Sequence, residues 1–264
     1  MRLITIPLII LIILLLFAVF TPVLLLQATE SIIPANILPA DMRVKTAEVL
    51  ADVSSILGRY DTCIDLYSYL ISQNPESGYY YGKKAEYLQK TGKQEELVRV
   101  LDSAIARSPD NADYLLRKAR ITRALHKMSD SNASYERIDQ LSPQNSVDFA
   151  YSGDAALDRS MYLQAFDRYS ESLSVDPSDA LTWEKRGDVI FALLTIPTAG
   201  LQADESLRSR DLYSEGITSY ENAMRLNPSR YQEIKMKLDK RSDIYVPKSI
   251  AQLHSRYTQY RYLG

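Results

Sequence analysis

Prolines at a fixed spacing constrain the fold of this chain more than any other feature of its sequence. Pro75, Pro109, Pro143 and Pro177 are each 34 residues apart, and Pro228 follows 51 residues later, which is one and a half periods. Proline lacks a backbone donor and disfavours helical backbone at the residue before it, so each of these prolines ends a helix. A helix end that recurs at one period predicts a repeated helical unit.

Side chains at matching places in the units support this interpretation. The eighth residue of each unit is small, and a large residue recurs at position 24 in the second half of the unit. Small and large columns of this kind are typical of two antiparallel helices that cross closely. The small column is Ala51, Ala85, Ala119, Gly153 and Gly187, and the large column is Tyr67, Leu101, Tyr135, Tyr169 and Tyr220.

In these features the sequence resembles the tetratricopeptide repeat (TPR) family. The resemblance rests on the 34-residue period, the small eighth position, the large residue at position 24 and the proline at position 32. Two segments match well, GRYDTCIDLYSYLISQNPE (58–76) and YSEGITSYENAMRLNP (213–228). The resemblance implies an all-α fold, an α-solenoid of about five TPR-like helical hairpins plus a capping helix.

The same alignment predicts how the chain is divided. An N-terminal segment (1–28) and a tether (29–42) precede the solenoid (43–245), and a basic, aromatic C-terminal tail (246–264) follows it. The fifth unit carries 17 extra residues, which form an insertion near 195–211. The units lie at about 44–77, 78–111, 112–145, 146–179 and 180–230, with a cap at 229–245.

The N-terminal segment predicts a transmembrane helix. Residues 3–29 carry no charged side chain, and residues 3–26 are long enough as a helix to cross a hydrocarbon core of about 30 Å. Arg2 precedes this run, while Glu30 and Asp41 come before the next basic residue, Arg43. This charge pattern predicts a single-pass protein of the cytoplasmic membrane, with its N-terminus inside and its repeat domain outside. A cleaved signal sequence, which would make the protein a secreted or cell-envelope assembly factor, is the alternative.

The sequence contains no catalytic motif. A glycine-rich phosphate loop, HExxH, GxSxG and paired CxxC are all missing, and the chain has only two histidines. We therefore expect a protein that is not an enzyme and needs no cofactor. A metal-dependent enzyme is the alternative, because Asp154 with Asp158 and Glu184 with Asp188 form i, i+4 carboxylate pairs that suit a hard cation. Solvated surface charge explains the same pairs.

The resemblance implies a partner-binding groove. In TPR proteins the inner face is lined mainly by positions 2, 5, 9, 12 and 13 of each first helix, and these positions here carry eight acidic and four basic side chains. Such a groove attracts a peptide or protein segment with basic and apolar groups. The formal net charge of −2 gives no case for nucleic acid. The candidate groove residues are Glu48, Asp52, Tyr79, Glu86, Arg120, Arg123, Asp154, Asp158, Glu184, Asp188 and Phe191.

Two further features remain open at this point. Asn132-Ala133-Ser134 is an acceptor pattern for N-glycosylation at Asn132. The segment KSIAQLHSRYTQYRYLG (248–264) has basic and aromatic side chains and no acidic one. It either extends the cap over the last repeat or lies in the acidic groove as a ligand supplied by the chain itself.

Overall fold

The computed structural model describes residues 40–195 and 211–244, and all regular structure in these two ranges is helical. A short 3₁₀ helix, Pro228–Arg230, precedes the last α-helix. The α-helices in these ranges are α1 (Ala40–Ile56), α2 (Tyr60–Gln73), α3 (Gly78–Lys90), α4 (Gln94–Arg107), α5 (Ala112–Ala124), α6 (Met128–Gln140), α7 (Ser146–Asp158), α8 (Tyr162–Val175), α9 (Ala180–Thr195), α10 (Leu212–Leu226) and α11 (Tyr231–Ile244).

The periodic prolines lie between the helices, as predicted. The four helices that follow them, α3, α5, α7 and α9, begin at 34-residue intervals. Side-chain caps fix some of these starts, because Asn111 accepts the Tyr114 amide at 3.1 Å and Asn145 accepts the Asp148 amide at 3.0 Å. A helix stop followed by a helix cap therefore explains how one helix ends and the next begins within a few residues.

The turns inside the hairpins repeat as well. Gly58, Gly92, His126 and Ser160 are 34 residues apart, and each has a positive φ between 59° and 71°. Glycine adopts this backbone readily, whereas His126 and Ser160 adopt it at a cost. The third and fourth hairpins therefore keep the geometry of the turn although they lack its preferred residue.

The small and large columns pack against each other. A Cβ atom placed on Gly153 would come within 2.6 Å of the Tyr169 ring, and one placed on Gly187 would come within 3.1 Å of the Tyr220 ring. In the first hairpin, Cys63 Sγ donates to the Ala51 carbonyl at 3.5 Å. Burial raises the pKa of this thiol to about 11, so Cys63 is a packing residue.

The chain divides into two compact units, of which unit 1 ends at Arg137 and unit 2 begins at Ile138. In unit 1, Lys93 bonds Asp61 at 2.7 Å and Lys127 bonds Glu95 at 3.4 Å, so each turn lysine pairs with the preceding hairpin. In unit 2 one core contains the rings of Phe166 and Tyr169, and another contains those of Phe191 and Tyr220.

Several predicted segments lie outside the described residues. These are the transmembrane segment, the insertion between α9 and α10, and the C-terminal tail. Within residues 40–195 and 211–244 no helix is both long and apolar enough to span a membrane. Helix α1 begins at Ala40, so the last three residues assigned to the tether, 40–42, are helical.

Candidate functional site

In unit 1 the first helices present the predicted site residues toward solvent. Helix α1 supplies Glu48 and Asp52, and α3 supplies Tyr79 and Glu86; we call these four side chains the front face of unit 1. Glu48 is half-buried and accepts the Tyr80 hydroxyl at 2.7 Å. This hydrogen bond, together with burial, raises the pKa of Tyr80 to about 12. Asp52 is exposed.

The aromatic part of the front face stands on a layer of buried tyrosines. The Tyr79 side chain is 58% exposed, and its ring lies 5.8 Å from that of Tyr80. Beneath it, the Tyr67 ring stacks on Tyr87 at 5.7 Å. Burial raises the pKa of the Tyr67 hydroxyl, and the nearby groups Tyr79, Tyr87 and Asp52 raise it further. These three residues therefore lie close to the Tyr67 side chain.

Glu86 is the carboxylate of the front face that holds two lysines. Lys90 lies 2.9 Å away and Lys83 lies 3.5 Å away. Burial opposes ionisation of Glu86, but the two lysines outweigh it and hold the pKa of Glu86 below its usual range. Lys90 also lies 5.1 Å from the ring centroids of Tyr60 and Tyr87. This cation is therefore held in place by packing as well as by charge.

Helix α5 places two more candidate residues in unit 1. Arg120 is exposed, whereas Arg123 is half-buried with its guanidinium 5.4 Å from the Tyr135 ring centroid. Asn132 is exposed on α6, where a modifying enzyme can reach it. Glycosylation there stays a prediction.

The corresponding carboxylates in unit 2 are covered. Asp154 is 6% exposed; it accepts the Tyr169 hydroxyl at 2.7 Å and the Lys185 ammonium at 2.7 and 2.8 Å. Glu184 is 3% exposed and bonds Arg230 at 2.6 Å and Lys237 at 2.6 Å. Both carboxylates are therefore neutralised inside the protein.

Asp188 is paired in the same way, although it is only half-buried. Its carboxylate accepts the Tyr220 hydroxyl at 2.7 Å, Arg241 at 2.8 Å and Lys237 at 3.3 Å. Burial would lower the pKa of Lys237, but hydrogen bonds to Glu184 and Asp188 outweigh it and raise the pKa. Helix α11 thus binds the first helix of the preceding hairpin through a cluster of matched charges.

The prediction of an open acidic groove is therefore wrong for unit 2. Asp154 and Glu184 are buried and paired, and Phe191 is 3% exposed with its ring stacked on Tyr220 at 5.6 Å. Asp158 is half-buried and also has an interaction partner. The C-terminal tail, which was the other predicted ligand of this groove, lies outside the described residues.

The two carboxylates of one pair that suggested a metal site, Glu184 and Asp188, bind cations of the chain itself. In the described ranges no group of three or more His, Cys, Asp or Glu side chains could hold a metal ion. The i, i+4 spacing of Glu184 and Asp188 instead matches the i, i+4 spacing of Lys237 and Arg241. Both spacings are visible in the sequence, but Arg123 and Lys127 share the i, i+4 spacing, so only the contacts in the structure identify α11 as the partner of these carboxylates.

Unit 2 also has a shallow depression of about 510 Å³ between α8, α9 and α10. Its lining includes Leu173, Trp183 and Asp211. The cation at its base, Arg186, bonds Glu215 at 2.7 Å and the Ser219 hydroxyl at 2.8 Å. Because this guanidinium is already satisfied within the protein, it is not available to a ligand in the depression.

No family model and no curated protein matches this chain. Solved structures do match. TTC0263, a thermophilic TPR protein in Thermus thermophilus, is 12% identical with a TM-score of 0.55, over 75% of this chain and 98% of that chain. The APC/C hetero-tetramer Cut9-Hcn1 is 12% identical with a TM-score of 0.57, over 86% of this chain and 41% of that chain. The chain has the TPR fold.

A third TPR-like match illustrates that the fold does not determine which ligand is bound. A monomeric mutant of IFIT1 with Gppp-AAAA is 14% identical with a TM-score of 0.51, over 69% of this chain and 42% of that chain. At these identities the likeness shows the TPR fold alone. The partner must be argued from the side chains that this chain presents.

Proposed function

We propose that this protein is a membrane-anchored, non-catalytic scaffold that binds a peptide or protein segment on the front face of unit 1. The TPR fold supports a protein partner, since the structurally similar Cut9-Hcn1 is an assembly of two different proteins. The observation that carries the location is Tyr79, which is 58% exposed and whose ring lies 5.8 Å from that of the buried Tyr80.

The side chains of the front face specify the chemistry of the partner. Exposed tyrosine supplies a large amphipathic contact with few rotamers to immobilise, which is why tyrosine is common at binding hot spots. Asp52 and Glu48 stand on the same helix and favour a lysine or arginine. A segment with one basic and one apolar side chain a few residues apart fits this arrangement.

Unit 2 supports the proposal by contrast. Its carboxylates already hold Lys185, Lys237, Arg230 and Arg241, so an external basic segment would have to compete with cations of the same chain. Competition of that kind costs the desolvation of several charges at once. The front face of unit 1 imposes no such cost at Asp52.

Photo-crosslinking tests the location directly. A photoreactive amino acid at position 79 is compared with the same amino acid at position 175, because Tyr79 and Val175 are equally exposed at 58%. We expect a crosslinked partner from position 79 alone, and less of it in the Asp52→Lys variant. Equal crosslinking from both positions would show that the front face is not the site.

The anchor is a separate part of the proposal. Residues 3–26 would hold the protein in the cytoplasmic membrane, with the repeat units outside. N-terminal sequencing of the mature membrane protein should begin at or near residue 1. A sequence that begins near Thr29 or beyond would replace the anchor with a cleaved leader and make the protein a secreted or envelope component. A protease added outside intact cells should reach the repeat units.

A further inference from the structure

One face of α1 carries apolar side chains at seven-residue intervals. Met42, Val49 and Ile56 are 51%, 61% and 85% exposed. Thr46, which is exposed, and Val53, which is half-buried, lie between them on the same face. We call these five residues the α1 stripe. Exposed apolar residues scattered singly need no explanation, but a continuous stripe indicates an interaction surface.

One position of the α1 stripe, that of Val53, is packed in later hairpins. The residues that correspond to Val53 at 34-residue intervals are Tyr87, Ile121, Ala155 and Val189. Tyr87 stacks on Tyr60 and Tyr67 of the preceding hairpin, and Val189 packs with Phe166 and Tyr169 of its own preceding hairpin. Tyr87 and Val189 thus each pack on the hairpin before their own, and no hairpin precedes α1 within the described residues.

The exposed face of α11, the last described helix, is more polar than the α1 stripe. Among the exposed side chains of residues 231–241, the part of α11 whose side chains the structure describes, only Tyr231 and Met236 are large and apolar. The others are polar: Gln232, Glu233, Lys235, Asp239 and Lys240. A polar outer face is expected of a terminal helix in a repeat protein. The α1 stripe is apolar instead, so we expect another polypeptide segment or another molecule to cover it.

The seven-residue spacing favours another helix as the cover. Apolar residues at alternating spacings of three and four along a helix form the seam of a two-helix coiled coil. Met42, Thr46, Val49, Val53 and Ile56 have this spacing, with Thr46 as the single polar member. A second α1 helix has a seam of matching length and spacing.

Charge determines the orientation. Lys45 and Asp52 lie seven residues apart on one flank of the α1 stripe, on either side of Val49. If two copies cross antiparallel at Val49, each Lys45 lies beside Asp52 of the other copy, which forms two equivalent opposite-charge pairs. Parallel copies in register bring like charges to the same level and lose this match.

We propose that two copies of this protein associate through an antiparallel pairing of their α1 stripes, centred on Val49. The interface is isologous, since the same surface serves both copies under a two-fold axis. Because Asp52 contributes both to this interface and to the front face, the two proposals are tested by different measurements: the crosslink from position 79 tests the partner, and disulfide trapping on α1 tests the dimer.

Disulfide trapping of the full chain in detergent tests the pairing. Cys63 is fully buried, so the parent chain provides a background without reactive thiols. Val49→Cys should form a disulfide-linked dimer. Met42→Cys alone and Ile56→Cys alone should not, because antiparallel pairing separates the two copies of either position by 14 helical positions, about 21 Å. The combined Met42→Cys and Ile56→Cys variant should form the dimer again.

Charge exchange tests the orientation by a second route. Lys45→Asp and Asp52→Lys should each weaken the dimer measured by light scattering, because each single change creates two like-charge contacts. Combining them should restore it. Ile56→Glu should yield a folded monomer, since this side chain is 85% exposed and its replacement disturbs no core. Circular dichroism confirms the fold of each variant.

Several results would overturn the proposal. These are a parent chain that stays monomeric at every concentration, a dimer that survives Ile56→Glu, or disulfides from Met42→Cys alone. If a monomeric Val49→Cys chain resists thiol reagents in detergent, residues before α1 cover the stripe instead. If it resists them only in vesicles, the lipid surface covers it.

Discussion

The two units carry acidic residues at corresponding positions, yet they use them differently. In unit 1, Asp52 is exposed and Glu48 bonds a single tyrosine hydroxyl. In unit 2, Glu184 and Asp188 are clamped by Arg230, Lys237 and Arg241. The difference teaches that a carboxylate at this position of a TPR hairpin is exposed to solvent only where no later helix covers it.

The largest effect is expected from the tight packing of unit 2. Gly153→Leu forces a side chain into the Tyr169 ring, where even a Cβ atom would lie within 2.6 Å. Overpacking of this kind costs about 3 kcal/mol of the free energy of unfolding. Urea denaturation should show a lower midpoint, whereas Val147→Leu, on the exposed side of the same helix, should leave it unchanged. An unaltered midpoint for Gly153→Leu would mean that the alignment of the repeats is wrong.

Replacing one carboxylate in each unit tests whether the carboxylates of unit 2 contribute more to stability than those of unit 1. Glu184→Gln removes the buried one of the two carboxylates that bind each of Arg230 and Lys237, and since both cations are about one-third exposed we expect a loss of about 2 kcal/mol, below the range for fully buried pairs. Glu48→Gln weakens one half-buried hydrogen bond and should cost about 1 kcal/mol or less. Equal losses measured by urea denaturation would contradict the difference between the two units.

The clamp in unit 2 should also weaken at alkaline pH. Because the pKa of Lys237 is raised in the folded state, that state keeps its proton where the unfolded state releases it. The stabilisation is complete below the unfolded pKa of about 10.4 and is lost as the pH rises through the folded value. The urea midpoint should fall above about pH 10, and less steeply in Lys237→Met. Parallel curves for the two proteins would assign the alkaline loss to other groups, of which Tyr80 is one.

The smallest effect on stability is expected on the front face. Asp52→Asn removes an exposed charge and should change the free energy of unfolding by less than about 0.5 kcal/mol. It should nevertheless reduce the crosslinked partner recovered from position 79. If Asp52→Asn lowered the stability but left the amount of crosslinked partner unchanged, Asp52 would be a structural residue and not part of the binding surface.

The sequence predicted the fold well because the repeat is encoded locally. Each proline ends a helix within its own segment, and Asn111 and Asn145 cap the next one. The small and large columns follow from the same period, and Gly153 meets Tyr169 as predicted. These features depend on residues within one hairpin, so they can be read without knowing what the hairpin packs against.

The candidate site was predicted only in part, because charge and exposure depend on neighbouring elements. The sequence assigned Asp154, Glu184 and Asp188 to an open groove, and the structure shows Lys185 and α11 neutralising them. It did place Tyr79 among the groove residues from its position in the repeat, but it could not show that this side chain is 58% exposed.

By itself, then, the sequence determined the TPR hairpins, their period and their packing columns. The tertiary structure alone decided which carboxylates face water and which face a cation 46 to 53 residues along the chain. The physical reason is that helix starts and stops are set by nearest neighbours, whereas the exposure of a charge is set by whichever helix packs over it.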